Sequence, residues 1–313
     1  MTFYEFTAQI VGRHNKQRLS VEGEFIIFGM RPNPHGNGIL FADFNNRNLK
    51  EWRPAETPQI LYESDWHVSS FTVLCDQSRV ALLERSSLPV EQLQPPATQK
   101  SVKKPSFPNR ISVINRTSSG SYRLLVQLDL DEPTEFRQSS IDEATSGHLF
   151  CCFTYSQKVY EIQVGRDLKV VKSHQMPGKI WTATLAKTVD REVLFVCFIY
   201  DDLLRGFQFG RVTHSGTLMT PTFTLKLPVS GVQLWLPNRS ALLVASWHDD
   251  KKAHSIEVFR ESPDRTDLIH CKTLLSEESN LAINSLCLTA EENELIAFSV
   301  KQTELVQIQL NSV

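Results

Sequence analysis

One unit recurs along the whole chain: a dense apolar stretch, a short polar turn, then a stretch in which apolar and polar residues alternate. It occurs as GILFADF with NLKEWR (38–44, 48–53), HLFCCFTY with KVYEIQV (148–155, 158–164) and EVLFVCFI with LLRGFQF (192–199, 203–209). It returns as ALLVASW with HSIEVFR (241–247, 254–260) and ELIAFSV with ELVQIQL (294–300, 304–310). A dense run of this length suits a strand buried on both faces, and strict alternation suits a half-exposed neighbour. A sixth copy is split: RVALLER (79–85) meets its partner RISVINR (110–116) only after a 24-residue insertion, 86–109.

The dense stretches begin at 38, 79, 148, 192, 241 and 294, so they are spaced by 41, 69, 44, 49 and 53 residues. Without the insertion, 69 becomes 45. An apolar segment precedes each dense stretch (EFIIFGM, SSFTVLC, IWTATLA, GVQLWLP, INSLCLT, and a weaker FRQSSI in the third unit). A further strand follows each alternating one (PQILYES, YRLLVQL, LKVVKSH, PTFTLKL, LIHCKTL). Four strands every 40–50 residues is the rhythm of a β-propeller. The sixth unit lacks a fourth strand, and FYEFTAQIV (3–11) is a strand without a unit. The expected fold is therefore all-β: one propeller over 1–313, of six four-stranded blades, closed by strand 3–11 completing the last blade.

GILFADFNNRNLKEW is similar to the Asp/Asn-rich strand–turn–strand segment of NHL-type blades. The chain resembles the broad β-propeller class, the NHL-like and other six-bladed forms above all. WD-repeat propellers resemble it in rhythm, but the chain has no Trp-Asp dipeptide, and its one Gly-His, Gly147-His148, opens a dense strand.

The 33 Lys and Arg against 35 Asp and Glu give a net charge of −2, which argues against a wholesale polyanion binder but leaves room for a local basic patch. With 41% hydrophobic residues the chain can build a core, and no apolar run reaches the roughly 18–20 residues of a spanning helix. Cys75, Cys151, Cys152, Cys197, Cys271 and Cys287 lie in apolar strand-like runs with no Cys-x-x-Cys pair. They read as reduced core thiols, and with no leader-like N-terminus the expected compartment is cytosolic or nuclear.

In a propeller, the turns between second and third strands share a face with the connections between blades. That face is the expected binding surface, because a rigid ring holds its loops in place. It gathers Asn45, Tyr155, Tyr200, Asp201, Trp247 and His248. It also carries the insertion, whose five prolines and Lys100, Lys103 and Lys104 make it a long, mobile, basic loop. Arg13, His14, Lys16, Arg18 and Arg110 are expected to lie near it. No nucleophile elbow, phosphate loop, dinucleotide fingerprint or His-Glu-x-x-His motif occurs. The expected function is a non-enzymatic scaffold for a protein or peptide partner, without cofactor or metal. Two alternatives stand beside it: an RNA-binding propeller using the basic loop, and a divalent-metal-dependent hydrolase. The second rests on an architectural resemblance to lactonase and phosphotriesterase-like propellers, which implies a channel metal held by Glu, Asn and Asp. Asp201-Asp202 and Trp247-His248-Asp249-Asp250 are the turns that could supply such ligands.

Overall fold

In a computed structural model of the chain, the described residues form 24 strands in six four-stranded antiparallel sheets. The structure describes residues 6–15, 26–53, 56–88, 106–134, 139–176, 178–187, 192–199, 207–212, 218–225, 229–248, 253–262, 268–275, 281–289, 293–299 and 304–312. For 6, 15, 198–199, 207–212, 218–225, 229–233, 238, 246–248, 253–254, 261, 275 and 312 it describes the backbone alone. The first strands are β2 (Ile27–Pro32), β6 (His67–Val73), β10 (Ser139–Glu143), β14 (Lys179–Lys187), β18 (Val229–Leu236) and β22 (Ile283–Leu288). Each is followed by its dense strand: β3 (Ile39–Asp43), β7 (Arg79–Arg85), β11 (His148–Phe153), β15 (Glu192–Ile199), β19 (Ala241–His248) and β23 (Glu294–Ser299). The third strands are β4 (Asn48–Trp52), β8 (Phe107–Arg116), β12 (Lys158–Val164), β16 (Phe207–Val212), β20 (Ala253–Glu261) and β24 (Glu304–Ser312). The outer strands are β5 (Gln59–Glu63), β9 (Tyr122–Thr134), β13 (Leu168–Gln175), β17 (Leu218–Leu225) and β21 (Leu268–Leu275).

The first strands neighbour one another in a closed circle, β2–β6–β10–β14–β18–β22 and back to β2, so the sheets stand around an axis as a β-propeller. The last sheet takes its outer strand from the chain start: β1 (Phe6–Asn15) pairs antiparallel with β24, Ala8 opposite Leu310 and Ile10 opposite Ile308. This removes the free edge that β24 would otherwise present. β1 also runs to Asn15, into the connection expected from residue 12 onward. Arg13 is thereby drawn into an ion pair with Glu304 at 2.5 Å, and His14 bonds Gln307 Oε1 at 2.6 Å.

Burial explains the two sequence textures. Every residue of β3 is buried, as are all but the first of β7, β11 and β23. The apolar residues form six clusters, one at each junction between neighbouring sheets; Phe298 with Phe41 belongs to the junction that closes the ring. The half-exposed expectation for alternating strands fails at β4, which is buried throughout. Its polar residues are matched in place, Lys50 Nζ to Asp43 Oδ2 at 2.9 Å and Glu51 Oε1 to Asn33 Nδ2 at 2.8 Å. Alternation there separates two buried environments. The cysteine expectation holds for Cys151, Cys152, Cys197 and Cys287, while Cys75 and Cys271 are exposed. Burial pushes the Cys152 and Cys287 thiols up to about 12.

Candidate functional site

The first strands stand at sheet edges, and their outward backbone groups face the propeller axis. Five of them, all but β10, carry a register shift against the dense strand: at Ile27/Gly29, Val68/Ser70, Ile180/Thr182, Val229/Val232 and Ile283/Ser285. A bulge adds one residue and turns the strand, which re-aims the side chains around it. The extra residues include Phe28, Ser69, Trp181 and Asn284. The positions that follow are small or hydroxylated: Gly29, Ser70, Thr182 and Ser285.

Around the axis lies a cavity of about 270 Å³, lined by residues of all six first strands. Its polar groups tie the sheets together, neighbours for the most part. Ser140 Oγ and Thr182 Oγ1 are 2.8 Å apart, and Ser140 Oγ also accepts the Ala183 N–H at 3.2 Å. Asp142 Oδ2 accepts the Leu185 N–H at 2.9 Å, while Oδ1 holds Arg31 Nη2 at 2.8 Å. Asn284 Nδ2 donates to the Ile27 carbonyl at 3.2 Å, and Trp235 Nε1 to the Lys187 carbonyl at 3.1 Å. Side chains of one strand thus satisfy the edge groups of the next, where an unmet buried amide would cost about 1–3 kcal/mol.

The cavity's charges are committed in the same way. Arg31 also donates to the Met30 carbonyl at 2.9 Å. Glu143 accepts the Cys75 N–H, and Lys187 lies 3.7 Å from both Glu192 and Cys75 Sγ. Beside Glu143, Cys75 has its thiol pushed upward, by desolvation first and by the carboxylate second. Among the described residues, no group of three or more His, Cys, Asp or Glu side chains is placed to hold a metal ion. Asp142 in particular already faces a guanidinium, which repels a second cation.

The opposite texture, loops on a rim, is where the sequence located binding. Asn45 sits half-buried in the β3–β4 turn, beside Arg47, whose φ is +55° and whose Nη1 donates to the Asp65 carbonyl at 3.3 Å. Tyr155 follows β11 with a φ of +68°; its ring meets Trp181 edge-on at 5.9 Å, with Lys179 Nζ 5.7 Å from its centre. It packs across the junction between the third and fourth sheets. Trp247 and His248 end β19, opposite His254 and Ala253. Tyr200, Asp201, Lys100, Lys103 and Lys104 lie outside the described residues, as do 89–105 of the insertion.

The base of the insertion is described and is closed by pairing. Arg85 opposes Asn109, the Ser86 N–H donates to the Pro108 carbonyl at 2.9 Å, and the Arg85 guanidinium lies 3.7 Å over the Phe107 ring. Arg110, expected to add to a basic patch, is buried against Glu84 at 2.8 Å, paired with Asp65 and laid over Trp66 at 4.3 Å. The hydrogen bond from Arg110 holds the Asp65 carboxyl below its usual range. Sequence reasoning missed Arg31, Asp142, Glu143 and Lys187. Their signal was a set of polar residues in otherwise apolar first strands, densest in β10, SSIDE, which starts at Ser139 where the sequence had suggested FRQSSI (136–141).

No protein-family model matches the chain, and no curated relative matches it. Among solved structures it is similar to a protein of unknown function from Bacteroides thetaiotaomicron VPI-5482, with a TM-score of 0.58 and 8% identity over 98% of this chain and 76% of that one. It is similar to a putative gluconolactonase, with a TM-score of 0.56 and 13% identity over 99% and 94% of the two chains. A third likeness is to a streptogramin B lyase, with a TM-score of 0.52 and 12% identity over 98% of each chain. At these identities the likeness is one of fold, and it extends along the whole chain.

Proposed function

We propose that this chain is a non-enzymatic propeller that binds a protein or peptide partner through the face carrying the second-to-third-strand turns and the 86–109 insertion. One observation carries the reading: among the described residues, every charged side chain lining the central cavity is tied to another group of the chain. Arg31 holds Asp142, Glu143 receives the Cys75 amide, and Lys187 lies between Glu192 and Cys75. A general acid or base needs a group within reach of substrate and free to exchange a proton. Here those groups hold the ring together. The proposed contact surface is Asn45, Tyr155, Tyr200, Asp201, Trp247 and His248 with Lys100, Lys103 and Lys104. RNA is the weaker partner, since Arg13 and Arg110 are engaged in ion pairs. A cytosolic or nuclear location belongs to the same proposal.

The test is affinity purification from native extract with the intact chain and with a form whose residues 89–105 are replaced by a short Gly-Ser turn. This cut keeps the Ser86–Pro108 and Arg85–Asn109 pairing. Partners that appear with the intact chain and vanish with the replacement support the reading. Equal recovery by both forms removes the insertion from it.

A second reading is supported by the likeness to a putative gluconolactonase and a streptogramin B lyase: a hydrolase or lyase working in the central cavity. Lactone hydrolysis, with and without added calcium, tests it. Turnover that Asp142→Asn abolishes would favour it over the scaffold.

A further inference from the structure

The hydrogen bonds between first strands leave a remainder. Ser70, Thr72, Thr184 and Ser285 line the cavity and are 5%, 6%, 9% and 3% exposed. Among the described residues, no side-chain hydrogen bond ends on any of the four hydroxyls, and none of them is sealed from solvent without a partner. Each therefore opens on the cavity. They come from β6, β14 and β22, so they converge from separate sheets.

Apolar side chains line the same cavity. Phe28, Leu234, Trp235 and Leu286 present apolar surface to the same space. The cavity thus offers both hydroxyls and aromatic or aliphatic surface around its circumference. Its two cations are paired within the chain, Arg31 with Asp142 and Lys187 with Glu192, while Glu143 accepts the Cys75 N–H. An anionic ligand would bring a further negative charge beside Asp142 and Glu143, at a large desolvation cost. A hydroxyl, in contrast, both donates and accepts, and so can serve any rotor of a Ser or Thr.

We infer that the cavity is a binding site for a small, uncharged cyclic polyol, with ring hydroxyls bonded to Ser70, Thr72, Thr184 and Ser285 and C–H surface against Phe28 and Leu234. The volume of about 270 Å³ admits one ring of that size. A pocket with an apolar wall and a few convergent polar groups is the general form of a small-ligand site. The inference rests on the cavity lining alone, so it stands whether or not the loop-bearing face binds a protein.

The experiment is saturation-transfer NMR on the full chain with myo-inositol, D-glucose and D-galactose, and with D-galacturonate as a charged comparator. It is repeated on the Thr72→Val, Thr184→Val double variant, which exchanges each hydroxyl for a methyl of similar shape. The expected result is transfer to at least one neutral polyol, about tenfold or more weaker for the variant and absent for galacturonate. Melting of the double variant should equal or exceed that of the parent, because hydroxyls without protein partners contribute nothing to folding. No transfer to any of the three neutral polyols overturns the inference. So does transfer that the variant leaves unchanged, stronger transfer to galacturonate, or a marked loss of melting temperature, which would make the hydroxyls structural.

Discussion

Asp142 ties three sheets together at the axis. Its carboxylate meets Arg31 from the first sheet and the Leu185 amide from the fourth. Asp142→Ala leaves a half-buried guanidinium and an edge amide unpaired, and the expected loss is about 3 kcal/mol, read by denaturant unfolding. Arg31→Met with Asp142→Leu should recover part of it, since replacing both partners removes the unpaired charge. A second carboxylate answers to pH. Glu161 bridges His148 Nδ1 at 2.7 Å and His174 Nε2 at 2.9 Å across β11, β12 and β13. Burial alone would raise its pKa, but the two imidazole hydrogen bonds outweigh burial and hold it below the usual 4.5. A carboxyl depressed in the folded state contributes stability above its unfolded pKa and loses it as pH falls through the folded one. Unfolding free energy should therefore drop below about pH 4.5, and Glu161→Gln should flatten that acid limb while lowering stability near neutrality. An acid limb identical in parent and variant would refute the linkage.

At the scale of elements, the strand rhythm was legible because burial on both faces leaves an unmistakable dense run: β7 spans 79–85 and β15 spans 192–199, as the apolar stretches indicated. The first strands were harder to read, because bulges break their alternation and channel-facing polar residues interrupt them. SSIDE, with Ser139, Ser140, Asp142 and Glu143 in five residues, looks like a loop until the neighbouring edge that it satisfies is known. For the same reason the axis site was invisible in the sequence. Its members lie on six strands far apart in the chain, and none has a motif. The expectation at 3–11 came from a missing strand at the other end, which is a topological argument and independent of local pattern. It carries a prediction: deleting residues 1–15 exposes the edge of β24 and uncovers Leu310 and Ile308, against which Ala8 and Ile10 pair. The truncated chain should lose its cooperative melt or aggregate, and adding a peptide of residues 1–15 should restore the transition. An unchanged melt would mean that β1 is dispensable.

For the whole molecule, the decisive property is that the apolar core of the described residues is divided and not central. Apolar burial is divided among six junctions, so each sheet is stabilised by two neighbours and the ring has no terminal unit. An open stack can fray from its ends; a closed ring must break a junction somewhere, and breaking one removes the support that the adjacent sheets share. Unfolding should then be a single transition, wherever the weakening is applied. Phe298, fully buried at the closing junction, and Leu194, 2% exposed between the third and fourth sheets, are far apart in the ring. Phe298→Ala and Leu194→Ala should each cost about 3–5 kcal/mol from lost packing and the cavity left behind. Each should move the same calorimetric transition downward, without splitting it. A shoulder that appears in only one variant would show that the sheets unfold in independent groups, and that the closure through β1 does not couple the ends.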